Sequence, residues 1–235
     1  RLPSKPLLEI NGMPLVIHTY KRALLSKKLD QVIICCDDKK IMNAAKKYNA
    51  KCILTSSHHN NGTERIAEAV ISLKKKYDLI VDIQGDEPLI SPYHIDEVVQ
   101  FHSNNLDSDI ILPTLRIKVA DNNNIIKVVT NKKKEVMYLS RAKIPLEFKN
   151  KSSYYKKHLS IVSFKYKSLI KFSLSKKTTL EKIEDIELLR ALELGLKIKS
   201  IELKGDSFSV DVKEDYVRAK EKFKTDKFFK LYKNA

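Results

Sequence analysis

Two aspartates stand where an α/β sheet would offer carboxylates to a ligand. Asp86 follows the apolar run Leu79–Ile83 within Gln84-Gly85-Asp86-Glu87-Pro88, and in open α/β sheets ligands bind beyond the carboxyl ends of strands. The same residues also suit a plain turn made by Gly85, Asp86 and Pro88. Asp211 follows Ser207-Phe208-Ser209-Val210 and precedes a helical stretch. With Glu214 three positions on, it also reads as an N-cap in an approximate capping box. A pair of carboxylates at strand ends suits Mg²⁺ against nucleotide phosphates, because hard cations take oxygen ligands. Arg1 and Lys5 lie four positions apart in a loop framed by Pro3 and Pro6. Phosphoryl transfer needs such cations to offset triphosphate charge, although lysines are too common here for Lys5 alone to decide anything.

Other constellations carry less. Asn60-Asn61-Gly62-Thr63-Glu64-Arg65 is a turn into a helix, whose first amides could receive an anion or a base edge, or simply be capped by Asn61 or Thr63. His58 and His59 are adjacent, so their side chains diverge, and no third ligand of a zinc site accompanies them. Glu181, Glu184 and Glu187 step along one helix flank as a solvated face would, with Glu187 and Arg190 spaced to pair. Cys35, Cys36 and Cys52 are an odd set without metal-ligand spacing, which points to a reducing cytoplasm, and Cys35-Cys36 within an apolar run read as small buried side chains. Neither a Walker A motif nor a dinucleotide-binding fingerprint occurs.

The elements that must position these residues alternate over the first two-thirds of the chain. Helical patterns cover 14–25, 37–48, 63–76 and 92–101, and strand-like runs cover 31–36, 50–54 and Leu79–Ile83. This order implies an α/β fold, a mostly parallel sheet with helices on both faces. After Asp109 four strand-like runs (110–116, 125–130, 136–139 and 158–164) suggest a small antiparallel extension over 110–165 within a single domain of residues 1–235. A helix over 180–194, with Ile183, Ile186, Leu189 and Leu192 as its buried stripe, a strand over 197–203 and a helix over 212–223 follow. Residues 224–235 read as a loosely packed tail. The opening loop lacks a preceding strand, so the native first strand is expected to be missing.

Composition narrows the partners. The 235 residues carry 45 cationic and 29 acidic side chains, a formal charge of +16, which invites a nucleic-acid reading. Only seven of the cations are arginine, the residue that reads phosphates and guanine edges bidentately. The lysines spread over nearly every element, and aromatics do not interleave with them as base stacking needs. A Lys-rich solvated surface accounts for the charge, without nucleic acid as partner. No apolar run reaches the ~20 residues that span a bilayer, so no membrane insertion is expected.

Taken together, the motifs resemble the 3-deoxy-manno-octulosonate cytidylyltransferase (CMP-Kdo synthetase) family, from Arg1 to about Phe223. The resemblance rests on residues 1–7 (Arg-Leu-Pro-Ser-Lys-Pro-Leu), 61–65 (Asn-Gly-Thr-Glu-Arg) and 84–88 (Gln-Gly-Asp-Glu-Pro). It rests too on 138–145 (Tyr-Leu-Ser-Arg-Ala-Lys-Ile-Pro), His158-Leu159, 180–184 (Leu-Glu-Lys-Ile-Glu), Glu187 with Leu189-Arg190, and 210–215 (Val-Asp-Val-Lys-Glu-Asp). It implies a nucleotide-diphospho-sugar-transferase-like fold that joins CTP to Kdo, an acidic eight-carbon sugar, giving CMP-Kdo for lipopolysaccharide synthesis and pyrophosphate. It implies Mg²⁺ on Asp86 and Asp211, and triphosphate contacts from Arg1 and Lys5. By the same resemblance Gly62, Arg65 and Gln84 belong to the cytidine pocket, while Arg141, His158 and Glu187 contact the sugar. A homodimer formed through the β-rich extension is also implied. A related acidic or amino sugar is the same-class alternative, and a basic nucleic-acid-binding protein the alternative of a different class.

The chain departs from the family pattern in four places. The opening strand and the first, arginine-bearing half of the nucleotide loop are absent before Arg1. Ser4 stands where the loop has glycine. Leu188 replaces the glutamine of Glu-Gln-Leu-Arg, which bears on the choice of sugar. Val212 and Lys213 replace Thr-Pro in the closing motif.

Overall fold

The computed structural model describes residues 2–233. The chain passes through a 3-10 turn at Lys5–Leu7, then β1 (Glu9–Ile10), β2 (Met13–Pro14), α1 (Leu15–Ala23), β3 (Ile34–Cys36), α2 (Lys39–Lys47) and β4 (Cys52–Leu54). Next come α3 (Gly62–Ser72), β5 (Leu79–Ile83), α4 (Pro92–Ser103), β6 (Ile110–Ile117), β7 (Lys127–Thr130) and β8 (Val136–Ser140). The remainder is β9 (Tyr155–His158), β10 (Ile161–Lys165), α5 (Tyr166–Ser173), α6 (Thr179–Glu184), α7 (Leu188–Glu193), β11 (Ile198–Glu202), α8 (Lys213–Lys224) and α9 (Phe229–Tyr232). These elements pack as two compact units. One holds the residues up to Lys74, Ile83–Asp96 and the residues from Ser207 on; the other holds Lys75–Asp82 and Glu97–Asp206. No helix among the described residues is long and apolar enough to cross a membrane.

In the first unit α1 is buried almost all round, because nearly every turn of Leu-Val-Ile-His-Thr-Tyr presents a side chain to a core. Leu15 joins Ile10, Phe208, Val210, Ala219 and Phe223, whereas Val16, Ile17 and Tyr20 join Ile34, Ala45 and Tyr232. Strands β3 and β4 pair in parallel across α2, as a βα unit requires. The tail expected to be loose is packed: Phe228 and Tyr232 are buried, and the Tyr232 hydroxyl meets His18 Nδ1 at 3.0 Å. Its aromatic residues, spaced along a short helix, supply apolar area that a count of its lysines conceals.

The second unit is built on a seven-stranded sheet, ordered β5-β10-β6-β9-β7-β8 with β11 on the other edge of β6. The fold is α/β as expected, but the mostly parallel sheet is not observed. Strand β6 runs parallel to β11 and antiparallel to β9 and β10, and β7 is antiparallel to both β8 and β9. Strands β7 and β8 are joined by a short hairpin, which excludes a parallel pairing; the other antiparallel pairs join strands distant in sequence. The single strand expected at 158–164 is two, β9 and β10, lying in succession along one edge of β6. Pro113, which has no N–H to give, stands at the break between them. One unassigned element appears and one further expectation fails. A helix, α5, follows β10 unannounced, and the helix over 180–194 breaks into α6 and α7 where Asp185 adopts φ 52°. The break turns Ile183 outward to 73% exposure, although Ile186 and Leu189 remain buried.

Candidate functional site

Three of the sequence candidates meet in the first unit. The 3-10 turn at Lys5–Leu7 directs the Lys5 ammonium to 2.6 Å from Asp86 Oδ2 and 3.3 Å from Asp211 Oδ1. The Val210 amide donates to the Asp86 carbonyl at 2.9 Å, tying the two carboxylate-bearing segments together 124 positions apart in sequence. Val210 is fully buried in the core, so Asp211 projects from a fixed point. Burial works to lower the Lys5 pKa, but the charge of Asp86 and then that of Asp211 outweigh it, so the ammonium is held above the ordinary lysine value.

Capping does not explain Asp211. Helix α8 begins at Lys213, and the side chain that accepts from the Asp211 and Val212 amides belongs to Asp215. The Asp211 carboxylate instead faces Lys5 and accepts from the Ser209 hydroxyl at 3.2 Å. Nor is Asp86 only a turn-former, since its Oδ1 is buried without a hydrogen-bond partner. An orphaned carboxylate oxygen is costly unless a cation completes it. This donor set fits Mg²⁺: two carboxylates already share a cation, and one oxygen is unused. No group of three or more His, Cys, Asp or Glu side chains that could hold a metal ion occurs among the described residues. Arg1 lies outside the described residues.

The turn that carries Asp86 is braced from α1. Thr19 donates to the Gly85 carbonyl at 3.3 Å, and Arg22 donates to the carbonyls of Leu89 and Ile90 while pairing with Asp226. Gly85 lies close to α1, since a Cβ there would meet Val16 Cγ2 at 3.5 Å. Ser4, the departure from the loop glycine, has φ 51° and caps with no side-chain bond, a conformation in which glycine lacks the Cβ penalty.

The other nucleotide candidates occupy separate positions in the same unit. Asn61 caps α3 by accepting from the Glu64 amide at 2.9 Å, so one of the amides available to an anion is already used. Gly62 begins the helix. Arg65 donates to Asp37 Oδ2 at 2.8 Å, to Thr55 Oγ1 at 2.8 Å and to the Ser56 carbonyl at 3.2 Å. It thereby pins together the loops that leave β3 and β4. Gln84 is exposed just beyond β5.

The sugar candidates belong to the second unit. Arg141 donates through Nε to the Glu184 carbonyl at 2.8 Å, through Nη2 to the Asp185 carbonyl at 3.0 Å and through Nη1 to the Asn123 carbonyl at 3.3 Å. Glu187 follows two residues after Asp185 and opens α7. His158 closes β9, with Nε2 buried and unpartnered. Burial first, and then the Lys157 charge, lowers its pKa to about 4. His158 is therefore neutral near pH 7, whereas the Arg141 guanidinium keeps its positive charge. The acidic flank was misread as a solvated face. Glu181 is buried in a bidentate pair with Arg190, both contacts at 2.6 Å, and Glu184 accepts from Ser140 Oγ and the Arg141 amide. Leu188, proposed from its departure as a specificity position, is 2% exposed and belongs to the core.

Residues not singled out from sequence also serve these positions. Ser209 orients Asp211, and only its place two residues before the aspartate could have flagged it. Lys127, within an apolar strand, donates to the Arg141 carbonyl.

Comparison with known proteins bears on the family and the fold. The family described as cytidylyltransferase matches residues 1–198. The 3-deoxy-manno-octulosonate cytidylyltransferase of Thermodesulfovibrio yellowstonii is 38% identical, over 92% of this chain and 90% of that protein. An 8-amino-3,8-dideoxy-manno-octulosonate cytidylyltransferase of Shewanella halifaxensis is 37% identical, over 92% of this chain and 90% of that protein. The solved structure of a CMP:2-keto-3-deoxy-manno-octonic acid synthetase complexed with CTP aligns with a TM-score of 0.89 at 28% identity, covering 95% of this chain and 93% of its own. With its fold and the bulk of its length shared in this way, the chain is an enzyme belonging to the 3-deoxy-manno-octulosonate cytidylyltransferase family.

Proposed function

We propose that the chain transfers CMP from CTP to Kdo, releasing pyrophosphate and supplying CMP-Kdo for lipopolysaccharide synthesis in the cytoplasm. The observation that carries this reading is the convergence of Asp86 and Asp211 on one cation, with Asp86 Oδ1 left over. The names of the relatives, and the CTP bound to the solved neighbour, support the substrate pair.

In the reaction a sugar hydroxyl oxygen bonds to the α-phosphorus of CTP. The bond from that phosphorus to the oxygen of the departing pyrophosphate breaks, and the hydroxyl proton goes to solvent. Negative charge grows on the leaving oxygen and must be offset. Asp86 and Asp211 would hold Mg²⁺, which when bound supplies positive charge beside the phosphate oxygens. Lys5, released from the two carboxylates, turns its ammonium to the triphosphate together with Arg1. Gly62, Arg65 and Gln84 receive the cytidine, with Arg65 held in place by Asp37 and Thr55. Arg141 offers its charge to the sugar carboxylate, while Glu187 and neutral His158 bond ring hydroxyls.

The 110–165 segment serves as the dimerisation extension in this reading. Val119, Met137, Leu146 and Phe148 support that role, with 64–85% of each side chain exposed. A second reading, with an 8-amino sugar as acceptor, is supported by the Shewanella halifaxensis relative. The test is pyrophosphate release from CTP and Mg²⁺ with a panel of 2-keto sugar acids that includes Kdo and its 8-amino analogue. Release with Kdo supports the first reading and release with the amino sugar alone the second. Binding of DNA or RNA with a steep salt slope and no release would overturn both.

A further inference from the structure

Lys127 is the most enclosed ammonium in the second unit, with its side chain wholly removed from solvent. It has three N–H groups and three acceptors, all neutral: the carbonyls of Asn122 (3.1 Å), Ile125 (2.9 Å) and Arg141. No carboxylate pairs with it, which is a costly way to bury a charge. Burial, and after it the charge of Arg141, pulls its pKa below the ordinary lysine value. A buried charge with all its donors committed to backbone has no donor left for a ligand. What it can do is hold those three carbonyls at fixed positions.

The segments it joins carry the proposed sugar contacts. Lys127 opens β7, where it is registered against Ser140 on one side and Lys157 on the other. The residue after Ser140 is Arg141, and the residue after Lys157 is His158, whose amide donates to the Ile126 carbonyl at 2.9 Å. Arg141 in turn reaches the Asn123 carbonyl within the same loop, and the Glu184 and Asp185 carbonyls just before Glu187. The Glu184 carboxylate closes the circuit onto Ser140 Oγ and the Arg141 amide.

We propose that Lys127 is a positioning residue for the sugar-acid subsite: without touching the sugar, it clamps the 122–125 loop to Arg141 and so sets the aim of the guanidinium. Resting on the functional reading above, this adds a fourth residue to the subsite, one that acts through Arg141. A residue of this kind affects the sugar step and leaves nucleotide binding alone.

The experiment compares wild type, Lys127→Met, Arg141→Gln and the double variant by steady-state pyrophosphate release, with CTP affinity measured separately by calorimetry. Lys127→Met is expected to raise KM for the sugar acid at least tenfold and to leave the CTP Kd within twofold. The double variant is expected to be no worse than Arg141→Gln alone, because Lys127 works through that residue. Lys127→Gln, which retains two donors, covers the case in which the Met variant fails to fold, and is expected to raise the sugar KM by a smaller factor. An unchanged sugar KM in a folded variant, equal weakening of both substrates, or additive effects in the double variant overturns the proposal. No turnover in wild type with any sugar acid overturns instead the functional reading.

Discussion

Two lysines, one in each compact unit, are held by opposite means. Lys5 keeps 24% of its side chain exposed and sits between two carboxylates, one of which has an oxygen to spare. Lys127 is fully enclosed and bonded only to carbonyls. An ammonium balanced by carboxylates can be replaced by another cation, because the attraction is between charges and any suitable cation satisfies it. One that is spread over backbone dipoles cannot leave without orphaning all of them. The first arrangement suits a site where charge is exchanged during turnover, the second a frame.

The largest expected effect tests the exchangeable site. Asp86→Asn should lower pyrophosphate release by ~10³-fold with its denaturation midpoint nearly unchanged, since amide oxygen is a poor substitute for carboxylate at a metal. Asp211→Asn, at a more exposed and more distant carboxylate, should lose ~10²-fold. Near-normal turnover in either variant would take that residue out of the metal site and remove one side of the contrast.

Breaking the frame should cost stability instead. Arg190 and Glu181 form a buried ion pair in the second unit, at 0% and 4% exposure, and removing one partner strands the other charge. Arg190→Met should therefore lower unfolding free energy by ~3–5 kcal/mol in urea denaturation. A loss below ~1 kcal/mol would mean that buried cations here are dispensable, which would weaken the reading of Lys127 as well.

Acid should affect both units. Burial lowers the pKa of His18 and His102 from 6.5 to about 4, as it does for His158. Their unfolded forms take up protons near pH 6.5 while the folded forms do not, so stability is complete above 6.5 and drains away as pH falls toward 4. Each histidine accounts for the loss of roughly 3 kcal/mol of stability by the time pH has fallen to about 4. His18 also bonds Tyr232 and the Ile10 carbonyl. A His18→Asn variant whose pH profile matches wild type would show that this histidine is not among those responsible.

Lys5→Met gives a smaller effect that separates the two lysines directly. With the resident ammonium gone, Mg²⁺ should bind the free protein about fivefold more tightly in calorimetry, since a partly exposed pair of this kind is worth ~1 kcal/mol. Weaker Mg²⁺ binding in the variant would mean that Lys5 supports the metal site and does not occupy it. The smallest change is expected from Ser4→Gly. Relieving φ 51° at a position with no capping bond should raise stability by up to ~1 kcal/mol, partly offset by the freer unfolded chain. A lower melting temperature would show that the Ser4 side chain has a role.

Much of the candidate site was legible because its residues sit beside strong local signals. Asp86 comes directly after the most strand-like run in the chain, and Asp211 precedes a helix. The helices and the longer strands up to Asp109 were also readable from periodicity, though the two-residue strands β1 and β2 were not. Legibility failed where one pattern serves two pairings. The run at 158–164 looks like one strand, but its break depends on where β6 places Pro113. Glu181 looks solvent-facing until Arg190 is brought against it. Lys127 offers no sequence signal at all, because a lysine inside an apolar strand is read as pointing to water.

The sequence by itself determined the family, most of the helices, and which carboxylates and cations were available to a nucleotide. These depend on residue type and short-range spacing, which the chain carries without folding. Tertiary structure alone decided that Asp86 and Asp211 meet on Lys5, that the larger sheet is mainly antiparallel, and that Leu188 is core. It also decided that Lys127 is buried among carbonyls. The meeting on Lys5 joins segments 81 and 206 residues apart, and even the short-range contacts of Lys127 form only once the strands around it are paired. In every case the energy lies in which groups are desolvated together, and residue spacing carries no record of that.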